Sequence, residues 1–236
     1  MGGTPRRSGP STPPPNRRRR RRYDSSGTRE ALLAAAAKLF AARGFDGVPV
    51  EAIAAEAGIN KAMINYHFGG KRPLYRAIVS STFAEIITGV EALAASPRPV
   101  PALLRDLVAL IGEMTLRHPH FPAIMLREVL SGGRRLDREL VGQPVRVLGA
   151  VARIVERGVG DGTLRPVDPL FTHLGLVGSL LFFFATASFR ERLHAEGLLP
   201  PPPDPTAYIR HVQDLITRGL VAQGDGAARP AGESDA

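Results

Sequence analysis

Between Ile53 and Lys71 the chain reads IAAEAGINKAMINYHFGGK, a stretch that admits few folds. Ile53, Ala54 and Ala57 recur at helical spacing and give a short helix one apolar face. Gly58 follows where the chain must reverse, because glycine reaches positive φ without a Cβ clash. Asn60 is placed to accept from a free N–H at the start of a second helix, Lys61 to Phe68. There Ile64 and Phe68, four apart, share one side and suit packing inward. The other side offers Lys61, Ala62, Asn65, Tyr66 and His67. Small, polar and aromatic groups on an exposed helix face suit base edges and phosphates in a DNA major groove. Two short helices around a glycine turn, the second so decorated, predict a helix-turn-helix.

Charge points the same way, but its location matters more than its sum. The formal net charge is +9, and Arg6, Arg7 and Arg17 to Arg22 lie in a segment of Pro, Gly and Ser without an acid. Removing those eight leaves about +1 for residues 23–236. A segment so poor in apolar groups cannot offset its ordering entropy, so residues 1–23 read as a disordered tail. Such a tail adds salt-sensitive, non-specific affinity for an acidic polymer. Arginines also precede the apolar run Ala31 to Ala37, but Arg29, Glu30 and Lys38 interrupt it, which excludes a secretion signal. There is no cysteine, so disulfides and thiolate ligation are ruled out. No glycine-rich phosphate loop, GxSxG or HExxH occurs, so neither an enzyme nor a cofactor is expected. His118 and His120 flank a proline with no third ligand near in sequence. They read as helix-terminal residues, and no metal is assigned.

Upstream, Leu32, Ala36, Leu39 and Phe40 predict a helix behind the pair, begun near Ser26 to Thr28 and ended at Gly44. Downstream a long helix runs from Pro73 to about Ala95, broken by the prolines of Ser96 to Pro101. Helical patterns follow at about 102–117, 120–130 and 136–157, and Pro144 should kink the last or split off its first turn. No strand alternation occurs, so the fold reads as all-α. Residues 170–189 form a charge-free run of membrane-spanning length. Thr172, His173, Ser179, Thr186 and Ser188 within it favour a helix buried on all sides in a bundle.

From Thr28 the run TREALLAAAAKLFAARGFDGVPVEAIAAEAGINKAMINYHFGGKRPLYRAI resembles the N-terminal domain of the tetracycline-repressor (TetR) family of bacterial transcription regulators. The resemblance implies a three-helix DNA-binding domain at 24–71 and a ligand-binding and dimerisation bundle at 72–223, about nine helices in all, with a frayed tail at 224–236. It implies that Lys61, Ala62, Met63, Asn65, Tyr66 and His67 face DNA and that Lys71 grips a phosphate. Two positions depart from the family pattern. Pro49 stands where a capping Thr or Ser is usual, and Asn65 stands where a tyrosine is common. Asparagine can pair with adenine, so a changed base preference is expected.

The resemblance further implies a homodimer through helices at about 169–190 and 205–221, a palindromic operator and a small-molecule effector in the middle bundle. Phe83, Ile87, Leu107, Ile111, Met114, Phe121, Met125, Glu128, Phe171 and His173 are the candidate pocket residues. A ligand-responsive cytoplasmic repressor is therefore expected, released by an apolar or amphipathic molecule. The alternative is a non-specific, architectural DNA-binding protein driven by the arginine tail. A third reading anchors residues 170–189 in a membrane.

Overall fold

The computed structural model describes residues 25–222. The expectations for the tails at 1–23 and 224–236, Arg17 to Arg22 included, concern residues outside that span. Among the described residues the chain forms ten helices and no strand, apart from an isolated antiparallel bridge between Leu164 and Val221.

Three helices build the head: α1 (Ser25–Arg43), α2 (Val50–Ala57) and α3 (Ala62–Phe68). Leu32, Ala36, Leu39 and Phe40 of α1 are buried together with Val48, Ile53, Ile64 and Leu74. Burying a side chain such as Ile64 contributes about 1.5–3 kcal/mol, so a short helix can be held by one such anchor and its neighbours. Gly58 adopts φ 65°, and the N–H groups of Gly58 and Ile59 return to the carbonyls of Ala55 and Ala54, closing α2. Pro49 is the N-cap of α2 and supplies no side-chain cap.

The body comprises α4 (Lys71–Ala95), α5 (Val100–Arg117), α6 (Phe121–Leu130), α7 (Arg138–Gly160), α8 (Pro169–Ala185), α9 (Ala187–Ala195) and α10 (Pro205–Leu220). Aspartates cap three of them: Asp137, Asp168 and Asp204 accept from backbone N–H groups at the starts of α7, α8 and α10. Such caps contribute about 1 kcal/mol each. α4 packs along α7 and enters the head core through Leu74 and Tyr75, so one apolar core runs through both parts. α5 lies against α10, where Gly112 admits Ile209. A Cβ at Gly112 would stand 2.6 Å from the Ile209 side chain.

Three expectations change. The helix expected at 169–190 is two, α8 and α9, bent by 47° at Thr186. Thr186 is neither Gly nor Pro; its hydroxyl donates to the Phe182 carbonyl at 2.6 Å. Nor is α8 buried all round in this chain. Thr172, Leu176, Leu180 and Phe183 are buried, whereas Leu170, Phe171, Leu174 and Phe182 are exposed. Finally, of the two outcomes expected at Pro144, the first turn is not split off, since α7 is one helix from Arg138 to Gly160. The proline lies in its second turn, so the missing N–H costs the bond to the Leu140 carbonyl while the rest of the ladder continues.

Candidate nucleic-acid interface and effector cavity

α3 divides its residues as its spacing requires. Ile64 is buried and Phe68 packs against the core, with the Arg29 guanidinium 5.2 Å from its ring centroid. The opposite face is bare: Lys61, Ala62, Asn65 and Tyr66 are exposed, Tyr66 to 77%. Asn60 Oδ1 accepts from the Ala62 N–H at 2.9 Å and sets the direction in which α3 leaves the turn. Lys61 Nζ lies 3.3 Å from Glu51, but both side chains are largely exposed. Such a pair contributes little and leaves the ammonium available to a phosphate.

Met63 and His67 sit lower on the helix. Met63 is half-buried against the core. His67 is half-buried too, edge-on to the Tyr66 ring at 5.0 Å, and its Nε2 is enclosed without a hydrogen-bond partner. Lys71 opens α4 with its Nζ 4.4 Å above the Phe45 ring, a cation–π contact that holds the charge at the head's edge.

In the body, α4, α5, α6, α7 and α8 border a cavity of about 420 Å³ that opens to solvent beside Val129, Leu174 and Phe182. Phe83, Ile111, Met114, Phe121, Met125 and His173 line it, as the sequence suggested. The other four proposed residues lie elsewhere. Ile87 and Leu107 are core residues outside the lining, and Phe171 points outward at 73% exposure. Glu128 is buried on the opposite side of α6, where its Oε1 accepts from the Tyr75 hydroxyl at 2.6 Å.

Sequence reasoning missed the contributions of Ile86, Thr115, Leu126, Val129, Pro144, Val147, Leu174, Val177, Gly178, Leu181 and Phe182. For α8 a signal existed, since Val177 and Leu181 repeat His173 at four-residue spacing. For α7 there was none, because Pro144 reads locally as a break. No charged side chain lines the cavity. The Thr115 hydroxyl is occupied, donating to the Gly112 carbonyl at 2.6 Å. His173 Nδ1 is buried with no partner, and burial pushes the imidazole pKa below its ordinary value.

Two family models match the chain. "Bacterial regulatory proteins, tetR family" covers residues 32–78, and "Tetracyclin repressor-like, C-terminal domain" covers 99–219. The HTH-type transcriptional repressor NicS of Pseudomonas putida is 29% identical over 192 residues, which are 80% of this chain and 90% of that protein. The HTH-type transcriptional regulator RutR of Escherichia coli K12 is 28% identical over 139 residues, 59% of this chain and 65% of that one. Among solved structures, the ketosteroid transcriptional regulator KstR2 of Mycobacterium tuberculosis superposes with a TM-score of 0.67 at 17% identity, covering 83% of this chain and 95% of that one.

Proposed function

The chain belongs to the TetR family of bacterial transcriptional regulators, and from that premise we propose a homodimeric repressor that leaves a palindromic operator when an uncharged, mostly apolar effector binds. Regulators of this family are not enzymes, and DNA is the partner of the head. Residues 24–71 form the DNA-binding part and 72–223 the effector and dimer part, acting in the cytoplasm. The observation that carries the DNA reading is the split of α3, with Ile64 anchored inside and Tyr66, Asn65, Ala62 and Lys61 bare outside. In this reading Asn65 and Tyr66 meet base edges, while Lys61 and Lys71 meet phosphates. Met63 and His67 brace the helix from its flank.

One such helix reads few base pairs. Two heads on a two-fold axis read a palindrome with half-sites about 34–36 Å apart or a multiple of it. The exposed apolar row Leu170, Phe171, Leu174 and Phe182 on α8, with Gly175 and Gly178 between, supports a dimer interface there, joined by α10 through Leu215. Small residues in such a row allow close approach of a partner helix. For the effector, the apolar cavity takes the hydrophobic bulk, and the His173 imidazole is the one titratable group in its lining. α4 ties cavity to head. Phe83 in the lining and Leu74 in the head core are separated by about 13 Å of rigid helix. An effector acts only by its difference in affinity between the DNA-bound and released arrangements.

Fluorescence anisotropy with DNA from immediately upstream of the gene, against a scrambled duplex of equal length, tests this reading. The salt is set near 0.15 M, where non-specific binding is typically about micromolar or weaker. Full-length protein and a form starting at Tyr23 should both prefer the upstream duplex. Equal binding to both duplexes that vanishes with the arginine tail would instead establish the non-specific alternative at that site.

A further inference from the structure

Glu128 is an acid 2% exposed in a protein whose effector cavity it does not line. Burying a carboxylate is costly unless it is paired and hydrogen-bonded, so its partners carry information. Tyr75 donates to Oε1 at 2.6 Å, and Arg135 Nη1 stands 3.6 Å from the same oxygen. The Tyr75 ring in turn meets Phe40 and Phe45 edge-on, each at 5.1 Å between centroids. Phe40 belongs to α1 and Phe45 to the turn after it. On either side of Glu128, two arginines grip the same end of the head. Arg127 donates through Nε and Nη2 to the carbonyls of Ala41 and Ala42 at 3.1 and 2.9 Å, in the last turn of α1. Arg135 pairs with Asp46 in the turn that follows.

The opposite face of α6 looks elsewhere. Phe121, Met125 and Val129, four apart, line the effector cavity, whereas Ile124, Arg127 and Glu128 border a separate cleft of about 390 Å³ beneath the head. One helix of ten residues thus lies between cavity and head, bonded to the end of α1 through Arg127 and to Tyr75 of α4 through Glu128.

We propose that Glu128, through Tyr75 and Arg135, is the positioning residue that sets the angle of the head on the body, tying the cavity-lining helix α6 to the head end of α4. The inference rests on the effector-responsive reading above. The head angle fixes where α3 stands, and hence the half-site spacing a dimer can span. Glu128 Oε2 is buried without a partner, so Oε1 carries the hydrogen bond, and a shift of α6 that strains the Tyr75–Glu128 bond removes it, which makes the head's seat responsive to the cavity face.

The chain has no cysteine, so two can be introduced without background. Spin labels at Ala55→Cys on α2 and Arg153→Cys on α7, both exposed positions, report the head-to-body distance. Full-length labelled protein is diluted with unlabelled protein so that intrachain pairs dominate. Glu128→Gln and Arg135→Gln should shift and broaden the distance distribution, Tyr75→Phe should do so less, and Arg135→Lys should restore part of it. Arg146→Gln, which removes an exposed pair with Glu91 within the body, should change nothing. Met125→Trp, which crowds the cavity face, should shift the distance in the native background and not further when combined with Glu128→Gln.

A wild-type distribution in a folded but less heat-stable Glu128→Gln would reduce Glu128 to a packing residue and overturn the proposal. A Met125→Trp shift undiminished by Glu128→Gln would return the whole signal to α4. Should Glu128→Gln not fold, Arg135→Gln asks the same question from a partly exposed residue. None of these readings needs DNA, so failure of the repressor reading is seen separately, in the anisotropy measurement.

Discussion

Two helices leave large side chains in solvent, and they leave different kinds. α3 exposes Tyr66 beside Asn65 and Lys61, an aromatic ring among hydrogen-bonding and cationic groups. α8 exposes Leu170, Phe171, Leu174 and Phe182, with nothing ionisable among them. Each helix has an anchored side to be judged against, Ile64 on α3 and Leu176 with Leu180 on α8. The contrast shows what a bare face is for. A face that can both donate hydrogen bonds and meet phosphate suits nucleic acid, while an uninterrupted apolar row suits another protein surface of the same kind.

The strongest way to break this contrast is to put charge on the apolar face. Leu170→Asp or Phe171→Asp, on the part of that face outside the cavity, should separate the proposed dimer, read as a halved mass by light scattering. Operator affinity should then fall by about 10²–10⁴-fold, because the second head no longer binds at high effective concentration. A variant that stays dimeric and binds normally would move the interface away from α8.

Substitutions on the α3 face should cost less and do so differently. Asn65→Ala should lose about 1–3 kcal/mol of discrimination at one base pair. Tyr66→Ala should weaken binding while leaving the melting temperature unchanged, since the ring is outside the core. Ile64→Ala is the counter-experiment, destabilising the head by about 2–5 kcal/mol. Lys71→Ala should weaken all sequences alike and lower the slope of log affinity against log salt by about 1. If Lys71→Ala changed sequence preference instead, its seat over Phe45 would be setting head geometry rather than meeting phosphate.

The same contrast explains what was legible in the sequence. The head could be read because each decision is local: Gly58 turns, Asn60 orients α3, and Ile53 and Ile64 mark the inner sides within a span of twelve residues. The cavity could be read only in part, since five helices build it and each contributes a face that its neighbours select. Phe83 lines it and Ile87 does not, although both are apolar and buried on α4. Packing against α5 and α7 decides between them. Glu128 shows the limit most sharply. Its sequence position, on a helix between head and dimer interface, reads as pocket lining, whereas its Tyr75 partner lies fifty-three residues away on the other side of α6. The break at Thr186 carried no Gly or Pro to announce it.

The smallest effect expected concerns His173, a cavity-lining residue that belongs to neither exposed face. Burial lowers its pKa from the ordinary 6.5, so the unfolded chain binds more protons than the folded one once pH falls toward and below 6.5. The stability that the neutral ring confers is therefore fully present above pH 6.5 and declines on acidification. His120 on the α5–α6 turn shifts in the same direction, through burial and then Lys38, so the total slope has two contributors. Comparing His173→Phe with the native chain by thermal melts between pH 7.5 and 5.5 isolates one of them. The variant should lose part of the acid sensitivity while keeping the fold. An unchanged pH slope would mean that His173 reaches water in the folded state and that the acid sensitivity belongs to His120.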